Sequence, residues 1–204
     1  MILDFNSIAP PLRYQWMTQA IIPRPVAWIL SENDSGNYNL APFSYFNALA
    51  SDPPLIGVSF GNKEDGENKD TLHNIRARQY FVVHIASMQQ LGELNNSAAT
   101  RPYGESEVSQ QQLATTPLHE RFALPRLQAA PLALACRLHQ QQPLGNTQTL
   151  VIGEIIYLYA DECVLTADAK GRQIIDAAKV SPVGRLSAGK YAGLGDIVSL
   201  PRPE

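Results

Sequence analysis

A short polar stretch, Asn68–Ile75, combines residue types that bind an anion at the start of a helix. Asp70 or Thr71 can cap the first backbone amides of a short helix whose apolar edge follows at once. The helix N-terminus would offer N–H groups and a partial positive charge, with Lys69 beside them. The pattern predicts a phosphate site without a P-loop, although an ordinary capped surface helix has the same residues.

The composition sets the class of protein. The chain has 204 residues, of which 45% are apolar and 17% are charged, as in a soluble globular protein. This length fits one domain spanning residues 1–204. The formal net charge of -3 gives no basic field for nucleic acid, so we expect no nucleic-acid partner.

The termini and cysteines indicate the compartment. The N-terminus has no basic segment followed by an apolar one, and no apolar run is long enough to cross a membrane. Two cysteines, Cys136 and Cys163, are too few for a disulfide framework. Cys136 lies in an apolar strand pattern that suits a reduced interior thiol. We therefore expect a cytoplasmic protein with no membrane segment.

The hydrophobic pattern is rich in strands. Strands are predicted at Ile21–Leu30, Tyr38–Leu49, Leu55–Phe60, Tyr80–Ala86, Leu132–His139 and Thr149–Tyr159. Helices are predicted at Asp70–Arg78, Ser87–Ala99 and Gln173–Val180, and a polar excursion with a short helix at Thr100–Thr116. Strands separated by turns, with few short helices, favour a mainly β antiparallel barrel over a doubly wound sheet.

One predicted strand has more apolar surface than a small barrel can cover. Thr149–Tyr159 is apolar on both faces. One face would fill the barrel, and the other needs a helix or a second subunit to cover it. This predicts a homodimer.

Several kinds of catalytic site are absent from the sequence. There is no nucleophile elbow and no Walker A loop. The four histidines are far apart and have no metal-ligand spacing, and the glycines of the tail lack the strand-to-helix context of a dinucleotide site. We expect neither a protein nucleophile nor a bound metal.

Four motifs follow one another between Pro23 and Ile75, namely PRPVAWIL, NLAPFSYFN, DPPLIGVSF and KDTLHNI. In this order and spacing they resemble the flavin reductase-like, FMN-binding split-barrel family. TLVIGEI at Thr149–Ile155 and PVGRLSAGKY at Pro182–Tyr191 are similar to later segments of that family. The resemblance implies an antiparallel Greek-key split β-barrel that dimerises and holds FMN in a groove near the dimer interface.

The resemblance also implies which residues contact the FMN phosphate. Lys69 and Thr71 match the phosphate-binding positions of the family. Arg24 is a further candidate anion contact, although it could instead be a surface charge at a strand edge. Arg185 and Tyr191 match the family's tail pattern, and they either reach the flavin of the neighbouring subunit or only dock the tail.

The flavin ring of the family lies along two strands, which match Ala41–Asn47 and Val58–Gly61. Ser44, Asn47 and Ser59 therefore become the predicted ring or ribityl partners. Ser44 and Asn47 could instead bond only to the backbone of a turn.

The sequence departs from the family at the start of one strand. Many of the family's flavin reductases carry Gly-Asp-His where this chain has Asn146, Thr147 and Gln148. The missing histidine removes a polar group that could meet a nicotinamide. The resemblance implies an oxidoreductase that transfers hydride between NAD(P)H and FMN. The alternative, which the Gln148 departure favours, is a non-catalytic flavin-binding or storage module.

Overall fold

The computed structural model describes residues 1–201 and Pro203. The strands are β1 (Arg24–Pro25), β2 (Ala27–Glu32), β3 (Tyr38–Phe43), β4 (Phe46–Ser51), β5 (Pro54–Gly61), β6 (Tyr80–Ile85), β7 (Thr115–His119), β8 (Phe122–Leu127), β9 (Leu132–Leu144), β10 (Gln148–Ala160), β11 (Leu165–Ala167), β12 (Gln173–Ile175), β13 (Gly184–Arg185) and β14 (Tyr191–Ala192). The α-helices are α1 (Pro10–Ala20), α2 (Asp70–Arg78), α3 (Leu91–Asn96), α4 (Glu107–Gln110) and α5 (Ala177–Val180), and two 3₁₀ turns lie at Met88–Gln90 and Glu162–Val164.

Seven strands form one antiparallel sheet in the order β3-β2-β6-β9-β10-β5-β4. The edge strands β3 and β4 are separated in the chain by only Ser44 and Tyr45. Because so short a link spans only about 11 Å, the two edges must meet and the sheet curls into a barrel. The link from β5 through α2 returns β6 to the side of β2, which is a Greek-key connection. The predicted mainly β antiparallel barrel is confirmed.

The strands bury residues on both faces of the sheet. Ile29 and Phe81 belong to a cluster that spans five strands and includes Leu72 and Ile75 of α2. Their chain neighbours face the opposite side, in a second cluster that lies under α3 and the β7–β8 hairpin. At Gly153 of β10, a Cβ would come within 2.5 Å of the Phe81 ring, so the glycine makes room for the core.

The single strand predicted at Tyr38–Leu49 is wrong. The chain forms β3 and β4, which lie on opposite edges of the sheet, and bends between them at Ser44 and Tyr45. The strand predicted at Ile21–Leu30 is also divided. Its first part, β1, pairs with β13 of the tail, and only β2 enters the barrel. Both divisions depend on long-range strand pairing, which the local pattern of apolar residues does not encode.

The helix predicted at Ser87–Ala99 is shorter than expected. It is a 3₁₀ turn followed by α3, which ends at Asn96. Gln90 accepts a hydrogen bond of 3.2 Å from the backbone N–H of Ser87, as in a capping box. Ser97, the residue after the helix, is held in the core, where its hydroxyl accepts a bond of 2.8 Å from the indole N–H of Trp28.

The segment Gln173–Val180, predicted as one helix, begins as strand β12 and ends as helix α5. β12 pairs with β11, and α5 begins only after Asp176, whose carboxylate accepts a bond of 2.9 Å from the N–H of Ala178.

Helix α1 and the β7–β8 hairpin were not predicted. Only Thr18 of α1 is buried, so the helix has no apolar stripe that a sequence pattern could detect. The other predicted strands and α2 occur at or near their expected positions. In the described part of the chain, no helix has the length and apolar character needed to span a bilayer.

Candidate functional site

Three adjoining chambers form a groove along β3 and the bend that follows it. The helix chamber, of about 100 Å³, lies beside the start of α2. The strand chamber, of about 320 Å³, lies over the bend at Ser44 and Tyr45. The tail chamber, of about 310 Å³, lies between α1 and the C-terminal tail. All three share Pro42, so one elongated ligand could occupy more than one chamber.

The helix chamber is lined by three cations, Lys63, Lys69 and Arg101. Lys63 is neutralised by Asp70, since its Nζ lies 2.5 Å from a carboxylate oxygen. Among the described residues, Lys69 and Arg101 have no carboxylate within salt-bridge distance. The buried Nε of Arg101 has no hydrogen-bond partner within the described part of the chain. A buried donor without an acceptor is costly, so this chamber suits an anionic ligand.

Glu107 is the other acid of this chamber, and it is turned toward the backbone. Its Oε2 accepts a hydrogen bond of 2.9 Å from the N–H of Leu40 in β3. Burial raises the pKa of Glu107 above its usual value. The hydrogen bond to Leu40 makes Glu107 a brace for β3.

The capping predicted for α2 is wrong. The N-cap residue is Lys69, and no side chain of residues 1–201 or Pro203 caps the helix. Asp70 pairs with Lys63 instead, and Thr71 is 1% exposed, with its Oγ1 accepting a bond of 2.8 Å from Nδ2 of Asn39. The first-turn amides and the hydroxyl proton of Thr71 are therefore left without side-chain acceptors. This arrangement strengthens the predicted anion site.

Four residues with hydroxyl groups line the strand chamber, namely Tyr14, Ser44, Tyr45 and Ser59. The hydroxyl of Ser59 donates a bond of 3.2 Å to Oε1 of Gln148, which lines the same chamber. The backbone N–H of Ser59 donates to the carbonyl of Tyr45 at 2.9 Å, which fixes the bend to β5. Burial raises the pKa of Tyr45, so its phenol is neutral. The chamber thus offers hydroxyl and amide groups without a formal charge.

Arg24 is a bracing residue. It is 6% exposed, and its Nη1 donates to the carbonyls of Thr18 and Ile21, each at 2.7 Å. Its Nη2 donates to the carbonyl of Leu186 at 2.6 Å, and its Nε approaches Ser44 Oγ at 3.4 Å. Arg24 thereby joins the end of α1, the tail and the bend of the groove. These bonds occupy most of the donors that an anion contact would need.

The structure brings most of the predicted site residues to the groove, and it leaves one outside. Those that line a chamber are Arg24, Ser44, Ser59, Lys69 and Thr71. Asn47 is exposed on β4 and lines none of the three chambers. Its Oδ1 accepts a bond of 3.0 Å from the N–H of Ala48. This is the local backbone bond that we considered as the alternative for Asn47.

The tail docks on the groove through Arg185 and Tyr191. Both line the tail chamber, and the Arg185 guanidinium lies 4.4 Å from the centre of the Tyr191 ring. Tyr191 also donates a hydrogen bond of 3.0 Å to the side-chain oxygen of Asn95. Of the two roles considered for these residues, docking of the tail is the one that occurs within a single chain.

A model of the flavin reductase like domain matches residues 18–173 of this chain. The chain belongs to the flavin reductase-like family. The matched segment contains all the motifs between Pro23 and Ile75 and the lining residues of the helix chamber, and it contains those of the strand chamber except Tyr14.

Solved structures agree with this family. Component B of nitrilotriacetate monooxygenase from Bacillus cereus has a TM-score of 0.89, with 35% identity and 98% of each chain covered. The 2-nitrobenzoate 2-nitroreductase NbaA of Pseudomonas fluorescens has a TM-score of 0.87, with 28% identity over 100% of this chain and 96% of that one. A split-barrel protein of Shewanella frigidimarina shares the fold, with a TM-score of 0.82 and 21% identity over 100% of both chains.

The family resemblance did not identify every residue of the groove. Arg101 and Lys63 line the helix chamber but belong to none of the motifs. Arg101 lies in the polar excursion that follows α3, where no local pattern distinguishes it from a surface arginine. Its buried Nε, which only the fold shows, is the signal that identifies it.

Proposed function

We propose that the groove binds FMN and that this member of the flavin reductase-like family is an oxidoreductase of the flavin reductase type. The observation that carries the proposal is the buried, unpartnered Nε of Arg101 in a chamber that also contains Lys69 and the start of α2. A phosphate group would supply the missing acceptor and the opposite charge.

The protein groups available to the phosphate are of three kinds. Lys69 and Arg101 would provide cations, the first-turn amides of α2 would donate from the backbone, and Thr71 would donate its hydroxyl proton. Lys63 is already paired with Asp70 and would add little. The set supports a dianionic ligand because two unpaired cations face one bracing carboxylate, Glu107.

The flavin ring would lie beyond the phosphate, along the strand chamber. The hydroxyl groups of Ser44 and Ser59 would orient its polar edge, and Phe43 and Tyr45 would shield it from water. Gln148, held by Ser59, occupies the position of the histidine that many family members carry. Bound FMN would supply the two-electron chemistry, with NAD(P)H as the hydride donor. The protein itself would bind the flavin and orient it.

The relatives support an oxidation–reduction function. One similar structure is a component of a monooxygenase and the other is a nitroreductase, as their names state. Both are enzymes of redox chemistry, and both cover almost the whole of this chain. The motifs and the groove of this chain support the proposal of the same type of reaction.

We further propose that residues 1–204 form one domain that assembles as a homodimer. The tail supports one domain, since β13 pairs with β1 beside the barrel. Large apolar side chains on β4 and β10 are exposed, with Leu49 at 51%, Ile156 at 37% and Leu158 at 56%. A second copy would cover them. Light scattering that gives the mass of one chain at micromolar concentration would contradict the dimer.

Anaerobic stopped-flow reduction tests the enzymatic part of the proposal. The FMN-loaded protein is mixed with NADH and, separately, with NADPH. Bleaching of the flavin absorbance by either donor supports a reductase. A protein that holds FMN but is reduced by neither donor is the flavin-binding or storage module instead.

A further inference from the structure

The tail chamber has an unusual charge pattern. Its described lining includes two arginines, Arg24 and Arg185, and no aspartate or glutamate. The whole chain has a net charge of -3, so a general excess of cations does not explain this pattern. The chamber is therefore a local positive site in a mildly acidic protein.

The two arginines differ in what they bind. Arg24 uses its guanidinium to hold α1 and the tail together. Arg185 lies against the ring of Tyr191, and among the described residues its guanidinium donates no hydrogen bond and meets no carboxylate. Arg185 is half-buried and lines the chamber, so its donors are partly shielded from water. It is the charged group in this chamber with donors left for a ligand.

The walls of the chamber suit a flat, compact molecule. Tyr14 and Tyr191 are aromatic, and Val26, Pro42 and Leu94 add apolar surface. The volume of about 310 Å³ lies at the small end of ligand pockets, which fits a single ring and not a dinucleotide. A planar guanidinium binds a carboxylate through two parallel hydrogen bonds, a geometry that a point charge does not offer.

We propose that the tail chamber binds a planar organic carboxylate, with Arg185 as its anion contact and the two tyrosines as its walls. The chamber shares Tyr14, Pro42 and Ser44 with the strand chamber, so the carboxylate would lie next to the proposed flavin ring. The placement beside the flavin rests on the proposed function, whereas carboxylate binding does not.

Calorimetric titration with benzoate and with benzamide tests the inference. The two probes have nearly the same shape, but only benzoate is charged. We expect benzoate to bind at least about tenfold more tightly, which is the effect of one charge-assisted contact. Equal affinities, or no benzoate binding at millimolar concentration, would overturn the proposal on the parent protein alone.

Variants of Arg185 test whether its guanidinium is the group that contacts the carboxylate. Arg185→Gln should weaken benzoate about tenfold and leave benzamide unchanged, and Arg185→Lys should retain part of the benzoate affinity. Arg121→Gln is the matched control, since the Arg121 side chain is 79% exposed outside the groove, and it should bind both probes as the parent does. Benzoate binding that is unaltered in Arg185→Gln would place the anion site elsewhere and overturn the assignment.

The titrations are made with and without FMN, which separates this inference from the proposed function. Benzoate selectivity in a protein that fails to bind FMN would leave the carboxylate site standing and remove the flavin site. FMN binding without benzoate selectivity, whether or not FMN is present in the titration, would leave the flavin site standing and remove the carboxylate site. Circular dichroism of each variant shows that the tail sheet and barrel are intact.

Discussion

The side-chain amide of Asn39 donates a hydrogen bond of 2.8 Å to Oγ1 of Thr71, which ties strand β3 to the first turn of helix α2. Both residues are buried, and the same amide reaches Ser31 Oγ at 3.2 Å. The wall of the helix chamber is therefore held by a bond between residues that are 32 positions apart in the chain. Such a bond positions the helix N-terminus before any ligand arrives.

Thr71→Val should lower both stability and FMN affinity. The substitution keeps the shape of the side chain but removes the oxygen that accepts from Asn39 and the proton available to a phosphate. We expect a loss of about 1–3 kcal/mol in the free energy of unfolding, because a buried donor loses an acceptor. Urea unfolding and FMN titration measure the two effects. Thr71→Ser, which keeps the hydroxyl, is the control, and equal stability of Thr71→Val and the parent would show that the bond contributes nothing.

Lys69→Ala and Arg101→Ala should each weaken FMN by about 1.5–3 kcal/mol, the size of a hydrogen bond to a charged group. Riboflavin, which lacks the phosphate, should bind to these variants as it binds to the parent. The control is Lys170→Ala, since Lys170 is exposed in a loop away from the groove. Fluorescence quenching gives the affinities. If FMN and riboflavin weaken in parallel, the two cations do not contact the phosphate.

Gln148→His should raise the rate at which NAD(P)H reduces the bound flavin and leave FMN affinity nearly unchanged. Gln148 lies in the strand chamber, where Ser59 orients it, and histidine is the residue that many family members have there. A contact with the reacting pair changes the rate without changing cofactor binding. Gln142→His on β9, where residue 142 is exposed, is the control. An unaltered reduction rate would remove residue 148 from the mechanism.

Because of His84, the protein should be less stable in mild acid than at neutral pH. Leu127 N–H donates to its Nε2 at 2.9 Å, so the neutral ring carries its proton on Nδ1 and donates it to the carbonyl of Trp28 at 3.0 Å. Burial lowers the pKa of His84 from 6.5 to about 4. The unfolded chain therefore takes up a proton first as the pH falls, and stability present above about pH 6.5 is lost progressively down to about pH 4.

Chemical denaturation at two pH values measures this effect. Between about pH 7 and pH 5, the parent should lose about 2 kcal/mol more than His84→Gln, whose side chain does not titrate. The comparison cancels the carboxylates that the two proteins share. Equal losses in parent and variant would mean that His84 takes up its proton in the folded protein as easily as in the unfolded chain.

Local patterns predicted the elements of the barrel but not the way it closes. The helix Asp70–Arg78 and the strand near Leu55–Phe60 were found because their periodicity is contained in the segment itself. The bend at Ser44 and Tyr45 was missed because it depends on which edges of the sheet meet. Helix α1 was missed because it has almost no buried face.

The site divides in the same way. The family motifs identified Ser44, Ser59, Lys69 and Thr71, which all line the groove. The predicted role of Thr71 as a helix cap was wrong, because its hydroxyl is bonded to the distant Asn39. Arg101 belongs to no motif and becomes visible only through its buried, unpartnered nitrogen. Contacts of this kind are set by the tertiary fold, and sequence spacing does not encode them.

A comparison of FMN with riboflavin, titrated into the parent protein and followed by fluorescence quenching, tests the central claim most directly. The two ligands share the ring and the ribityl chain and differ only in the phosphate. The helix chamber should make FMN bind at least about tenfold more tightly, because even one charge-assisted contact has that effect. Equal affinities for FMN and riboflavin would contradict the phosphate site on which the proposed function depends.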